Sequence, residues 1–287
     1  MPELPEIEVV KRSLLKTINK AKIIGVTIKN RNLRYKIPLK FSKKLVHQKI
    51  LKVSRRSKYL IIYFNKKILL IHLGMSGKLL LLRTKDKKIL KTSFYYDLNI
   101  LPKHNHIFIY LSNGLVIIYN DIRRFGFFKL FNISKINEIP FFKKLGIEPF
   151  SKLFNEDYFK NFIKNKKKNI KNLLMDQKFV CGLGNIYVNE VLFMSKIHPL
   201  RPCDKLKKEE LIILIKNIKI ILKDSISKGG SSIRDFTNSY GSSGSFQQYF
   251  RVYGKDNKNC SRISCNGKIK KTVISNRSSF YCEKCQI

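Results

Sequence analysis

The run YLIIYFNKKILLIHL, residues 59–73, decides the fold. Two apolar segments, Tyr59–Phe64 and Ile68–Leu73, flank the polar Asn65-Lys66-Lys67. Each is too short for an ordinary helix, both carry two isoleucines and the first adds three aromatic residues, so the pair reads as adjacent buried strands. The same texture extends from residue 22 to about residue 131, in Lys22–Ile28, Leu79–Leu82, Ile107–Leu111, Leu115–Tyr119 and Phe127–Phe131. Asn113-Gly114 between two of these is a two-residue hairpin signal. Seven or eight short strands predict a β-sandwich.

Before the strands, residues 5–18 predict a helix that packs on the sandwich. Pro5 suits the first turn, where its missing N–H costs nothing, and Ile7, Val10, Leu14 and Ile18 recur on one face. After the strands, residues 132–152 read as a linker with Pro140, Gly146 and Pro149. Helical spacing then appears in Asp157–Ile163, Lys168–Met175, Asn185–Met194 and Lys207–Ser227, the last with a stripe of Leu211, Leu214, Ile215, Ile218, Ile221 and Leu222. A Gly/Ser-rich stretch predicts a mobile loop, and a cysteine-bearing β-hairpin closes the chain. The expected class is therefore α+β and multidomain, with a sandwich at 1–131, a linker at 132–152, a helical domain at 153–228, a loop at 229–249 and a finger at 250–287.

Composition points to the partner. Among 287 residues, 59 Lys and Arg face 19 Asp and Glu, a formal charge of +40 spread along the chain. Coding bias toward Lys, Asn and Ile contributes, but it does not account for so few acids. Such a balance implies a polyanion, because neutralising phosphates releases condensed counterions. No apolar run is long enough for a membrane span and no secretory signal is visible, so the expected location is the cytoplasm.

Four of six cysteines fall in the last 28 residues, as Cys260-x4-Cys265 and Cys282-x2-Cys285. Without a signal peptide, two thiolate pairs joined by a hairpin read as one structural tetrahedral Zn2+ site rather than two disulfides. Cys181 and Cys203 read as buried free thiols. Arg277, Lys268, Lys270 and Lys271 lie on the same hairpin, which suits a phosphate backbone.

At the N-terminus, Pro2 becomes a secondary amine once Met1 is removed, with Glu3 beside it. An amine that forms an iminium with a sugar aldehyde, next to a carboxyl that protonates, is a covalent catalytic pair. Gly182-Leu183-Gly184-Asn185 opens a helix; it is either an anion site with Asn185 as an added donor or a glycine turn with an Asn cap. The loops around Met75 and around Arg123-Arg124-Phe125 offer wedge-like side chains between glycines, or ordinary hairpin turns. Arg55-Arg56-Ser57-Lys58 precedes the strand starting at Tyr59 and could be a solvated face. His104 and His106 are either surface histidines or phosphate donors. Lys166, Lys167, Lys168 and Lys171 form a candidate phosphate run.

Together these motifs resemble the bacterial formamidopyrimidine-DNA glycosylase family. They are Pro-Glu-Leu-Pro-Glu at 2–6, Arg-Arg-Ser-Lys-Tyr at 55–59, His-Leu-Gly-Met-Ser-Gly at 72–77, Arg-Arg-Phe-Gly at 123–126, Leu-Met-Asp at 174–176, Gly-Leu-Gly-Asn-Ile-Tyr at 182–187 and the four cysteines. The resemblance implies a β-sandwich, a helix–two-turn–helix domain and a zinc finger, acting as a monomer on duplex DNA that carries oxidised bases or abasic sites, with the damaged nucleotide flipped out. It implies Pro2 as Schiff-base nucleophile, Glu3 as general acid that helps open the sugar, and Glu6 in the substrate pocket. Lys58 is associated with β-elimination and Arg277 with δ-elimination. Met75, Arg123 and Phe125 would fill the vacated stack, and His104, Asn185, Lys166 and Lys167 would hold phosphates.

Three departures stand out. The first cysteine pair has four intervening residues where the family has two, Ile122 replaces a usual proline, and residues 229–245 match weakly. The alternatives are an endonuclease VIII-type enzyme for oxidised pyrimidines and a non-catalytic zinc-finger DNA-binding protein.

Overall fold

The computed structural model describes residues 2–87, 89–90, 101–164, 166–231 and 245–287. The chain forms two compact units, Met1–Lys143 with Lys228–Gln247, and Lys144–Ser227 with Gln248–Ile287.

In the first unit, helix α1 (Leu4–Ile18) precedes strand β1 (Ile23–Ile28), a short helix α2 (Phe41–Leu45) and strands β2 (Lys52–Arg56), β3 (Tyr59–Tyr63), β4 (Lys67–His72), β5 (Lys78–Arg83), β6 (Ile89–Leu90), β7 (Asn105–Leu111), β8 (Leu115–Asn120) and β9 (Phe127–Asn132). Two antiparallel sheets result, of order β1-β7-β8-β5-β6 and β2-β3-β4-β9. Leu60, Ile62, Leu69 and Ile71 point into a core shared with Leu79, Leu81, Ile107 and Ile109 of the other sheet and with Ile7, Val10 and Leu14 of α1. Their neighbours Ile61, Ile68 and Leu70 point the other way, onto Phe127 and Ile139. Residues 59–73 lack polar alternation because both faces of their sheet are covered.

What covers the outer face is the stretch expected as a linker. Ile133–Glu138 is 3₁₀-helical and Pro140–Lys143 forms α3, and Ile139, Phe141 and Phe142 close over the sheet. Strand β2 was not expected, because Lys-Val-Ser-Arg-Arg has one buried apolar side chain; as an edge strand it is held by pairing with β3. Arg55 and Arg56 therefore lie within a strand, and Ser57-Lys58 is the turn that follows. The Asn113-Gly114 turn also departs from expectation. Its loop is Ser112-Asn113-Gly114, in which Gly114 at φ +75° donates its N–H to the Leu111 carbonyl. Only the glycine adopts positive φ, so the connection is a type I turn with a bulge rather than a two-residue turn.

In the second unit, helices α4 (Glu156–Ile163), α5 (Ile170–Met175), α6 (Asn185–Met194) and α7 (Lys208–Ser227) precede hairpin strands β10 (Ile269–Ile274) and β11 (Arg277–Cys282). Asn155 and Asn169 cap α4 and α5 by accepting the N–H groups of Tyr158 and Asn172. Every residue of α6 from Ile186 to Phe193 is buried, which makes it the central helix, packed against α5, α7 and β11. Ser275 and Asn276, at φ 49° and 60°, give the β10–β11 hairpin a two-residue turn of type I′ form. Among the described residues, no helix is long and apolar enough to cross a membrane. Of the expected 229–249 loop, residues 232–244 lie outside the described residues, as does Met1.

Candidate active site and metal centre

The N-terminus is held by a reciprocal cap. The Glu3 carboxylate accepts the Glu6 N–H, and Glu6 Oε2 accepts the Glu3 N–H at 2.8 Å. Glu3 N belongs to the peptide that follows Pro2, so Glu6 fixes the plane from which the buried Pro2 ring projects. Its other oxygen, Oε1, accepts the N–H and hydroxyl of Ser231 at 2.8 and 3.0 Å. Gly230, at φ +81°, allows this approach, because a Cβ there would sit 3.1 Å from the same oxygen. Glu6 thus ties the N-terminus to the residue from which the 232–244 segment departs.

Lys58 is buried rather than part of a solvated face. Its turn is braced by Arg55, which donates to the Ser57 carbonyl and pairs with Glu8 of α1 at 3.1 Å. Burial alone would raise the Glu8 carboxyl, yet hydrogen bonds and charges from Lys11, Arg12 and Arg55 hold it below its ordinary value. The Glu8–Arg55 pair therefore links the α1 helix to the Lys58 turn. Sequence reasoning missed it.

His72, at the end of β4, has no role assigned from sequence. Its Nδ1 accepts the Gly74 N–H at 3.0 Å, so the ring proton sits on Nε2. Its ring stacks on Phe127 at 5.5 Å. Burial first, then the charges of Lys58 and Arg34, push its pKa from 6.5 to about 4, with Asp121 opposing. A neutral Nε2–H donor thus lies within electrostatic reach of Lys58. Because the folded value lies below the unfolded one, the stabilisation it brings is complete above pH about 6.5 and is lost as pH falls toward about 4. Replacing His72 by Gln should flatten the acid limb of a stability–pH profile across that window; an unchanged slope would refute the assignment.

The loops carrying Met75 and Arg123-Phe125 meet at backbone level. A Cβ on Gly74, already at φ +66°, would lie 2.5 Å from Gly126 N, and one on Gly126 would lie 2.6 Å from the His72 carbonyl oxygen. Arg123 stands 4.6 Å above the Phe125 ring. Asn32, Arg34, Arg123, Arg124 and Phe125 line an open recess of about 600 Å³. Three guanidiniums around one concavity suit a phosphate chain. Arg34 was not singled out from sequence, and Arg124 was named only within its motif, with no role of its own. His104 ends a 3₁₀ turn and is partly exposed; slight burial first, then Lys103 and His106, hold its pKa below 6.5. His106 is a correction: it is buried, and its Nε2 donates to the Asp121 carbonyl at 2.7 Å. It is neither a surface histidine nor a phosphate donor.

In the second unit, Asn185 is the first residue of α6 and Gly184 is its N-cap, so the Asn-cap reading does not hold. Asn185 Nδ2 and Lys171 Nζ both donate to the Ser278 carbonyl, at 2.9 and 3.2 Å, and Lys171 also reaches Ser279 Oγ at 2.5 Å. Asn189 Oδ1 accepts the Phe280 N–H. Arg277 therefore leads a strand pinned to α5 and α6. Lys171, expected within a phosphate run, is buried instead, and burial first, then Arg277, lowers its pKa to about 8. Lys166 and Lys167 are exposed.

The four cysteines converge. Their sulfurs lie within 4.8 Å of one another, with Cys265–Cys282 at 3.6 Å and Cys260–Cys285 at 3.8 Å, and none is in a disulfide. A tetrahedron of thiolates about 2.3 Å from a metal has edges of about 3.8 Å, so the donor set fits a four-coordinate ion. The four intervening residues of the first pair have a visible role. Arg262 Nη2 donates to the Phe193 and Met194 carbonyls at 2.8 and 3.1 Å, closing the C-terminus of α6, and its guanidinium lies 4.9 Å from the Phe193 ring centre. Arg262→Ala should lower unfolding stability by about 1–2 kcal/mol, read from the denaturant midpoint. No change would show that the longer knuckle caps nothing.

A buried proline–glutamate start on a sandwich, an arginine-lined recess and a basic hairpin with four converging cysteines fit a DNA-processing enzyme, and similarity to known proteins gives the class, a base-excision DNA glycosylase. Residues 1–128 match the model of the formamidopyrimidine-DNA glycosylase N-terminal domain, and residues 145–237 match that of its H2TH domain. The chain is 41% identical over 292 residues to a formamidopyrimidine-DNA glycosylase of Rickettsia massiliae, covering all of this chain and 97% of that protein. It is 40% identical to one of Bartonella tribocorum, covering all of both. Among solved structures it resembles the Lactococcus lactis enzyme, as a point mutant with Fapy-dG-containing DNA (TM-score 0.86, 36% identity) and with abasic-site DNA (TM-score 0.83, 35% identity), covering 99% of each chain. This chain belongs to the formamidopyrimidine-DNA glycosylase family.

Proposed function

We propose that the protein excises oxidised purines, 8-oxoguanine and formamidopyrimidines, from duplex DNA and then cleaves the strand. After Met1 removal, the Pro2 nitrogen attacks C1′ of the flipped nucleotide and the base leaves with its glycosidic electrons. Glu3 protonates O4′ as the sugar opens to an iminium. Loss of a C2′ proton then expels the 3′ phosphate, and a second elimination expels the 5′ phosphate, leaving a gap with phosphates at both ends. Lys58 serves the first elimination and Arg277 the second. Met75, Arg123 and Phe125 occupy the vacated stack; His104, Asn185, Lys166 and Lys167 contact phosphates. Cys260, Cys265, Cys282 and Cys285 hold one structural Zn2+ ion, and the enzyme works as a cytoplasmic monomer.

The observation that carries this reading is the Glu3–Glu6 cap, which holds the buried Pro2, an amine once Met1 is removed, next to a buried carboxylate. The L. lactis neighbours bound to Fapy-dG and abasic DNA support the substrate class. Excision of 8-oxoguanine opposite C should exceed that of thymine glycol opposite A; the reverse order would favour the endonuclease VIII-type alternative.

A further inference from the structure

The two wedge loops and the His104 segment share one buried residue that none of the assigned roles uses. Asp121 is 0% exposed. Its Oδ1 accepts the Ser76 hydroxyl at 2.5 Å and the Arg123 N–H at 3.3 Å. Its Oδ2 accepts the Tyr119 hydroxyl at 2.7 Å and the Gly126 N–H at 3.0 Å. The Arg123 N–H also reaches Ser76 Oγ at 3.0 Å, which completes a small ring. The backbone of Asp121 is engaged as well: its N–H donates to the His104 carbonyl, and its own carbonyl accepts from His106.

We infer that Asp121 is a positioning residue that locks the Met75 loop, the Arg123–Phe125 loop and the His104 turn into one rigid wedge. Ser76 follows Met75 directly, and Gly126 follows Phe125 directly. A carboxylate that accepts from both neighbours fixes the directions in which the two wedge side chains leave the backbone. Four donors on one buried carboxylate are more than a carboxamide can accept, since one oxygen would become an N–H donor facing hydrogen-bond donors. Gly74 and Gly126, where a Cβ would strike the facing loop, let the loops approach closely enough to share that anion. The function that follows is specific to a stacked duplex. A wedge must be in place when the nucleotide leaves the helix; a flexible single strand holds no stack to fill.

This inference rests on the reading of Met75, Arg123 and Phe125 as void-filling residues, and its test separates the two. Asp121→Asn should slow single-turnover excision from a lesion-containing duplex by about 10- to 100-fold, the scale on which loss of positioning acts. β-Elimination at a preformed abasic site in single-stranded DNA should change by less than about 3-fold, because catalytic positioning there is independent of the wedge. A 2-aminopurine opposite the lesion should lose its fluorescence rise on binding. If Asp121→Asn does not fold, Ser76→Ala and Tyr119→Phe each remove one tie and should show the same split with a smaller drop. Excision unchanged, or excision and single-strand elimination falling together, would overturn the inference. If Met75→Ala and Phe125→Ala themselves leave duplex excision unchanged, the wedge reading fails instead.

Discussion

Protein that retains Met1 should give no borohydride-trapped adduct with lesion-bearing DNA, and its excision rate should fall by about 10⁴-fold or more, the scale for loss of a nucleophile. With Met1 attached, Pro2 nitrogen is a tertiary amide whose lone pair is delocalised into the carbonyl, so it forms no iminium. As a free α-amine with a reference pKa near 7.7–8.0, about a tenth of it is neutral at pH 7, enough for attack without a large shift. The Glu3 N–H to Glu6 bond does not involve the Pro2 nitrogen, so the cap survives retention of Met1. Duplex binding should therefore stay within about 3-fold while trapping disappears, because the phosphate contacts that dominate affinity are untouched. Lys58→Ala should keep part of the adduct, since its role follows attack. An adduct formed by Met1-retained protein would sink the assignment of Pro2. Wild-type protein that forms none would leave the non-catalytic DNA-binding reading standing.

Removing the metal should have the second large effect. Cys260 and Cys282 are buried with Phe193, Val252, Ile269 and Phe280, so hairpin, thiolates and α6 share one small core. Without metal, burial and neighbouring sulfurs push the Cys285 thiol up to about 12 and Cys260 up as well. Against burial, backbone N–H groups hold Cys282 down, so the set does not carry four thiolates unaided. Structural Zn2+ brings about 10–16 kcal/mol to such modules at pH 7, more than a hairpin of this size can replace. Chelation, or Cys282→Ala, should expose the cluster thiols to a thiol reagent and abolish strand cleavage. Duplex affinity should fall by about 100-fold or more, as Arg277 and the hairpin lysines lose their fixed places. Metal analysis of the purified protein should return one zinc per chain. Chelated protein that still cleaves at the original rate would overturn the structural assignment.

The fold was largely legible because its signals are local. Residues 59–73 read as strands from composition and length, and α6 is bounded as Asn185–Met194 in both sequence and structure. The misses are also physical. Lys52–Arg56 has no apolar alternation and becomes a strand only through its neighbour. Residues 132–152 read as a linker from their prolines and glycine, whereas Ile139, Phe141 and Phe142 form a cover whose purpose shows only when the sheet beneath is assembled. Of the candidate site, the Pro2–Glu3 pair and the converging cysteines stand out in the sequence by residue type and spacing. His72 lies inside a recognisable motif, yet its role is invisible there, since its neutrality comes from Lys58, Arg34 and burial rather than from adjacent residues.

The sequence by itself determined where most of the strands and helices lie, which four cysteines come together as a candidate metal set, and that an N-terminal proline stands next to a carboxylate. Periodicity, turn chemistry and ligand spacing act over a few residues, so they survive in one dimension. Only the tertiary structure decided what each buried polar group does. Glu6 meets Ser231 across 225 positions of sequence, Arg262 meets the end of α6, and Asp121 gathers Ser76, Tyr119 and Gly126. A buried carboxylate or guanidinium must find donors or acceptors wherever the chain brings them, and that choice is made by long-range packing.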